Sequence, residues 1–298
     1  MSAPTVRVAA GQARAVPHDV ARNIELTCDM MRAAAERGVQ LLVLPECGLT
    51  GYVYADAAQV RAVAVALDGP ETRQIAGLAR RLGMHVVIGM LESAPDSPAV
   101  VHNTAVLIAP DGAMVPYRKT HLPSMGADRF VTAGNNQPVV VETELGRLGL
   151  SICYDLRFPE WARALALQGA DVILNPTNWP LAAERVAELF TRVRAAENHV
   201  YVIAANRGDE ENGVPFIGKS QIVDPAGTIL ASSERGADLL VADIVPTRSR
   251  AKDIAIPEDD FAISLFHDRR PKLYGALVRQ DGPAPITKEQ ESVRNQLH

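Results

Sequence analysis

Leu148-Gly-Leu-Ser-Ile-Cys-Tyr-Asp-Leu-Arg-Phe-Pro-Glu160 runs apolar as far as Cys153, turns polar at once, and reaches a proline that can open a helix. A short apolar run followed by such a break reads as a buried strand ending in a tight strand-to-helix turn. A side chain on that turn points out of the sheet, beside N–H groups left free at a helix N-terminus. A thiol there is well placed as a nucleophile, since the positive end of the peptide dipoles favours thiolate and a nearby oxyanion. Burial is the competing explanation, because free cysteine is among the most buried residue types. The surrounding chain decides between the two.

Working outward, short apolar runs alternate with helical patterns on both sides. Upstream, strands are expected over Thr5–Gln12, Val39–Leu44, His85–Leu91, Asn103–Ile108, Met114–Arg118 and Pro138–Val141, with the central strand over Gly149–Cys153. Apolar spacing of three and four residues predicts helices over His18–Arg37, closed by Gly38, and Pro70–Arg81, closed by Gly83. Downstream, helices are expected over Glu160–Gln168 and Leu181–Asn198, the latter with Val186, Leu189, Phe190, Val193 and Ala196 as its apolar face. Strands follow over Asp171–Leu174, Val200–Ala205 and Leu239–Ile244, with a hairpin of Ser220–Val223 and Thr228–Leu230. This mixture implies one α/β domain, with a mixed sheet or two stacked sheets, over residues 1–280, and a polar tail over 281–298.

Composition narrows the class. The chain has 298 residues, 47% of them hydrophobic, which suffices for a sizeable core. Three cysteines (Cys28, Cys47, Cys153) imply no disulfide framework, and the start lacks the basic-then-apolar pattern of a signal peptide, so a cytoplasmic setting is expected. No apolar run is long enough to span a membrane, and a net charge of −5 with scattered basic residues disfavours nucleic-acid and membrane partners. Of the 30 basic residues only five are lysines, at positions 119, 219, 252, 272 and 288. Each lysine is therefore a choice that invites an explanation.

One lysine has such an explanation. Glu46, Lys119 and Cys153 each follow a buried strand, and together they supply what amide hydrolysis through a thioester requires. A carboxylate can take the thiol proton and return it to the leaving amine. An ammonium can stabilise the oxyanion, and the thiol can attack and carry the acyl group. Taken singly, Glu46 reads more readily as a helix-capping or loop carboxylate and Lys119 as a solvated surface lysine; the joint occurrence carries the argument.

These stretches resemble the nitrilase superfamily of carbon–nitrogen hydrolases. The matching blocks are Leu44-Pro-Glu-Cys47, Tyr117-Arg-Lys-Thr-His-Leu122 and Ile152-Cys-Tyr-Asp-Leu-Arg-Phe-Pro159, followed by Asn175-Pro-Thr-Asn-Trp-Pro180, Arg194-Ala-Ala-Glu-Asn198, Ala205-Asn-Arg207 and Gly218-Lys-Ser-Gln-Ile-Val-Asp-Pro225. They stand in the family's order and span about Val6 to Pro246. The resemblance implies a four-layer α-β-β-α sandwich with two stacked mixed sheets, a catalytic triad of Glu46, Lys119 and Cys153, and an oxyanion donor in the backbone N–H of Tyr154. It further implies a strained elbow at Cys153, no cofactor, and association as a homodimer or larger homo-oligomer.

One position departs from the pattern. Relatives place a second glutamate shortly after the lysine block, where this chain offers only Asp128, next to Ala127. Either Asp128 substitutes with a shorter reach, or another group takes the role and Asp128 pairs with Arg129 or caps a turn.

The residues after the cysteine bear on the substrate. Tyr154-Asp155, rather than Trp-Glu, resembles amidases more than nitrile-hydrolysing relatives, and the single Arg157 falls short of the arginine pair of carbamoyl hydrolases. A small carboxamide is the expected substrate, with N-carbamoyl compounds and nitriles as alternatives. Arg157 either grips a substrate carboxylate or pairs with Asp155 or Glu160. Asn178 and Trp179 resemble a substrate-facing loop, although a tryptophan there also reads as core. Tyr52, Tyr54 and Met125 lie on loops that would shape the pocket. His121 suits a structural role through its ring better than that of a base.

Two other classes compete. The seven histidines show neither an HExxH motif nor paired spacing, which disfavours a metal hydrolase. A non-enzymatic scaffold has no physical need for thiol, ammonium and carboxylate at three strand ends.

Overall fold

The computed structural model of the chain describes residues 4–256 and 261–279. Its first half runs β1 (Val6–Gln12), α1 (Val20–Glu36), β2 (Leu41–Val43), α2 (Ala57–Val63), β3 (Val65–Ala66), α3 (Pro70–Leu82), β4 (His85–Ala94), β5 (Ser97–Ile108) and β6 (Met114–Arg118). Helices cross between β1, β2 and β4, which therefore lie parallel, and two hairpins extend the sheet through β5 and β6.

The second half repeats the scheme with β7 (Val140–Thr143), β8 (Gly146–Leu150), α4 (Pro159–Leu167), β9 (Val172–Pro176), α5 (Thr191–Asn198) and β10 (Tyr201–Ala205). The short pair β11 (Glu210–Glu211) and β12 (Val214–Pro215) precedes β13 (Gln221–Val223), β14 (Ile229–Ser232) and β15 (Asp238–Ile244). The second sheet has the order β14-β13-β10-β9-β8-β7, with β8, β9 and β10 parallel. β15 crosses back and pairs antiparallel with all of β1, from Val6↔Ile244 to Gln12↔Asp238.

Side-chain alternation sorts the core into layers. Val8, Leu41, Val43 and Leu107 of the first sheet share one apolar cluster with Leu148, Leu150, Leu174 and Ile203 of the second. The opposite face of the first sheet, through Ala9, Leu42, Val86 and Val106, packs on Met31 of α1 and Ile75 of α3. α4 and α5 cover the second sheet through β8, β10 and β13. The result is an α-β-β-α sandwich. Sheets covered on both faces explain the continuous apolar runs of β2 and of Val172–Leu174 in β9. Truncating one inter-sheet leucine to alanine would cost about 2–5 kcal/mol.

Several expectations are corrected. The central strand ends at Leu150, not at Cys153. Ser151 still donates to Leu174 at 3.0 Å, but the next N–H, of Ile152, turns to the Asp155 carboxylate at 2.9 Å, which stops the ladder. β5 starts at Ser97 because it continues a hairpin from β4, and β7 lies two residues later than expected. α2, capped by Asp56, and β3 were not anticipated. The helix expected over Leu181–Asn198 is three pieces: a 3-10 turn (Leu181–Ala183), a π turn (Val186–Phe190) and α5. A π turn holds more residues than an α turn, so the apolar phase slips. Leu189 and Val193, assigned to the buried face, are 52% and 44% exposed.

The described residues divide into two compact units, one running to Lys252 and the other beginning at Asp253. The second holds the hairpin β16 (Asp253–Ile256) and β17 (Phe261–Ser264), then 3-10 turns at Pro271–Leu273 and Gly275–Val278. The tail expected over 281–298 lies outside the described residues. No helix among the described residues is long and apolar enough to cross a membrane.

Candidate active site

The turn after β2 carries Glu46. Leu44 keeps the sheet register by donating to Val87 at 2.9 Å, and Gly48 closes the turn on the Pro45 carbonyl at 3.2 Å. The turn lies flat on β4 at Gly89, where a Cβ would come within 2.5 Å of the Cys47 nitrogen and 2.7 Å of the Glu46 Cα. Any side chain there would push the carboxylate out of place. Cys47 itself adopts φ +49°.

Lys119 follows β6, its backbone fixed between Asn103 and Gly134 at 2.8 Å on each side. Its ammonium donates to Glu46 Oε1 at 2.7 Å and to Asp128 Oδ2 at 2.6 Å, with all three side chains fully shielded from solvent. Asp128 sits in a 3-10 turn, Gly126–Arg129, packed so tightly under Tyr52 that a Cβ on Gly126 would lie 2.4 Å from the ring. Tyr52 donates its hydroxyl to Asp128 Oδ2 at 2.8 Å. Asp128 therefore turns inward to the lysine, and Arg129 instead donates to the carbonyls of Gly126 and Tyr54.

Cys153 opens the turn Cys153–Arg157 with φ +42°, the left-handed backbone expected of an elbow. Asp155 organises this turn. It accepts from Ile152 N at 2.9 Å, Tyr117 Oη at 2.7 Å and the His121 ring at 2.7 Å. His121 stacks on Phe158 at 3.8 Å, the structural part expected of it.

A cavity of about 240 Å³ opens onto the thiol. Tyr52, Met125, Tyr154 and Trp179 are among its walls, whereas Tyr54 is turned away and donates to the Thr50 carbonyl. Asn178 also reaches the cavity, but its amide nitrogen holds the Glu46 carbonyl at 2.9 Å. Among the described residues Arg157 is the one cation on the wall; neither Asp155 nor Glu160 pairs with it, and its guanidinium lies 5.8 Å from the Phe190 ring centroid. Among the described residues no three His, Cys, Asp or Glu side chains converge as metal ligands.

Two supports escaped the sequence reading. Asn103 donates to Glu46 Oε1 at 2.7 Å and to Asp128 Oδ1 at 2.8 Å. Glu211, ion-paired with buried Arg207, accepts the N–H groups of Tyr52 and Val53 at 2.8 and 2.7 Å. Asn103 stands between two other polar residues, His102 and Thr104, at the start of the apolar run of β5, so no local pattern marks it out.

The hydrogen bonds distinguish the two carboxylates. Both oxygens of Asp128 are engaged, whereas Glu46 Oε2 is buried and has no partner. Burial pushes the Glu46 carboxyl up, Lys119 opposes this, and the Asp128 charge pushes it further up. Burial alone would depress the Lys119 ammonium, but Glu46 and Asp128 hold it well above its ordinary value. Burial and then Glu46 push the Cys153 thiol up, while Lys119, the Thr177 hydroxyl and the Asn178 N–H pull it back. The thiol is therefore protonated at neutral pH, and a base must take its proton.

Fold and residue set define a hydrolase of carbon–nitrogen bonds. The chain belongs to the carbon-nitrogen hydrolase family, within the nitrilase superfamily: the family model matches residues 7–252. It is 36% identical to a nitrilase of Pyrococcus abyssi over 82% of this chain and 90% of that one. It is 33% identical to the deaminated glutathione amidase of Escherichia coli O157:H7 over 84% and 94%. Among solved structures, the NitN amidase of Nesterenkonia sp. AN1 superposes with a TM-score of 0.74 at 30% identity, covering 92% of this chain and all of that one. A variant of that amidase, with a TM-score of 0.76 at 29% identity over 92% and 97%, carries the acetamide moiety of fluoroacetamide on its active-site cysteine.

Proposed function

We propose that the chain hydrolyses a small carboxamide to a carboxylic acid and ammonia through a thioester on Cys153. Glu46 Oε2 takes the thiol proton as sulfur attacks the carbonyl carbon. Lys119 Nζ and the Tyr154 N–H stabilise the oxyanion. The tetrahedral adduct collapses, the C–N bond breaks, and Glu46 returns its proton to the leaving ammonia. Water, deprotonated by the same carboxylate, then attacks the thioester and releases acid and free thiol. One observation carries this reading: among the paired carboxylates only Glu46 keeps a buried oxygen without a partner, beside a thiol that needs a base.

The cavity supports an anionic amide, because among the described residues its single cation, Arg157, stands on an otherwise neutral wall that includes Trp179 and Asn178. Exposed Leu181, Leu189 and Val193 favour self-association as a homodimer or larger homo-oligomer, and three unpaired cysteines suit a reducing cytoplasm. An ammonia-release screen over aliphatic amides, ω-amides of dicarboxylates, N-carbamoyl amino acids and nitriles tests the reading. Release from ω-amides above all others is expected. Release from N-carbamoyl compounds or nitriles alone would overturn it.

A further inference from the structure

We propose that Asn103 is a positioning residue that clamps Glu46 and Asp128 on either side of Lys119 and leaves Glu46 Oε2 as the base. The inference rests on the hydrolytic reading above and extends it to a side chain that is not in contact with the Cys153 thiol and does not line the cavity.

Asn103 lies on β5 opposite Leu91 and is 1% exposed. Its carbonyl receives the Lys119 N–H at 2.8 Å, so the strand that carries the clamp also fixes the lysine. Both amide hydrogens are used, one on Glu46 Oε1 at 2.7 Å and one on Asp128 Oδ1 at 2.8 Å. The amide oxygen accepts from the Cys47 thiol at 3.5 Å. The reverse orientation would aim that oxygen at two carboxylates.

Charge explains the need for a neutral donor. One buried ammonium serves two carboxylates, so the cluster carries an excess negative charge and the two anions repel. A second lysine or arginine would neutralise the base, and an aspartate would add a third anion. A short primary amide gives two donors in one plane and no net charge. By binding Oε1 it fixes the Glu46 rotamer, and Oε2 is the oxygen left over.

Alkylation of Cys153 tests the clamp without any substrate. Labelling by iodoacetamide, read by peptide mass spectrometry across pH, follows proton removal from a thiol that Glu46 must deprotonate, so Glu46→Gln should abolish its acid limb. Asn103→Ala removes two donors to charged acceptors, and the acid limb should move up by about one pH unit. On any amide the enzyme hydrolyses, kcat should fall by up to about 100-fold with little change in KM. Asn103→Ser, which keeps one hydroxyl donor in less space, decides the question should the alanine variant fail to fold, with a smaller upward shift. If Glu46→Gln abolishes the limb and neither Asn103 variant moves it, the clamp is wrong and the base assignment stands. If Glu46→Gln leaves the limb intact, both are overturned. A wild type that labels with the expected limb but releases ammonia from no amide refutes the substrate reading, and the clamp is then judged by the shift alone.

Discussion

Asp128 Oδ2 accepts from Lys119 Nζ at 2.6 Å, within a cluster whose other carboxylate stands 2.7 Å from the same nitrogen. Asp128 reaches the lysine because its 3-10 turn is pressed against Tyr52, with a glycine where a side chain would collide with the ring. The lysine charge is then shared, and the repulsion falls on Glu46, whose carboxyl is raised.

Asp128→Asn keeps the shape and removes the charge. Its loss should lower kcat/KM by about 10²–10³-fold, as for a lost electrostatic group at a reacting centre. With Asp128 neutral, Lys119 acts wholly on Glu46, so the acid limb of the kcat/KM profile should move to lower pH. The Asn103→Ala shift has the opposite sign. A pH–rate series on both variants checks the pair.

Lys119→Ala leaves two buried carboxylates facing each other without a cation. Beyond the loss of turnover, the variant should be destabilised by about 3–5 kcal/mol, the range for breaking a buried ion pair from one side. Chemical denaturation at pH 7 measures this, and part of the loss should recover at acid pH as the carboxyls protonate.

Arg157→Ala should raise KM for ω-amides of dicarboxylates by about 10-fold or more, with kcat less affected and neutral amides little changed, because a charge-assisted pair is lost only for anionic substrates. Steady-state kinetics on a matched acidic and neutral amide pair provides the measurement.

Asp171 offers a stability test away from the site. Burial would raise its carboxyl, but Arg250 and Arg147 hold it below its ordinary value of 3.8. A carboxyl depressed in the folded state stabilises the fold above its unfolded value, and that contribution is lost as pH falls through the folded value. Asp171→Asn should cost about 1–3 kcal/mol at pH 7. The gap to wild type should narrow below about pH 4, as thermal melts across pH would record.

The layers were legible from buried strands such as β2, and Glu46 and Cys153 from the polar residue that follows an apolar stretch, whereas Lys119 follows the half-buried edge strand β6 and was legible from its residue type and its sequence block. What escaped depends on geometry that has no local pattern. Cys153 falls beyond its strand because Asp155 intercepts the Ile152 N–H, a contact no periodicity encodes. Val186–Phe190 forms a π turn inside a segment whose apolar spacing reads as one helix. Asn103 looks like a strand-edge polar residue until β6 and the Asp128 turn fold over it. Asp128 could be named but not resolved between two uses, since its reach depends on where the Tyr52 ring presses the turn.

The proposed mechanism requires a covalent acyl group on Cys153. Rapid acid quench during turnover of an ω-amide, followed by peptide mass mapping, should find the acyl mass on Cys153, released by hydroxylamine and absent from Cys153→Ala, which should not turn over. An acyl group on Cys28 or Cys47, or ammonia release by Cys153→Ala at the wild-type rate, would contradict it.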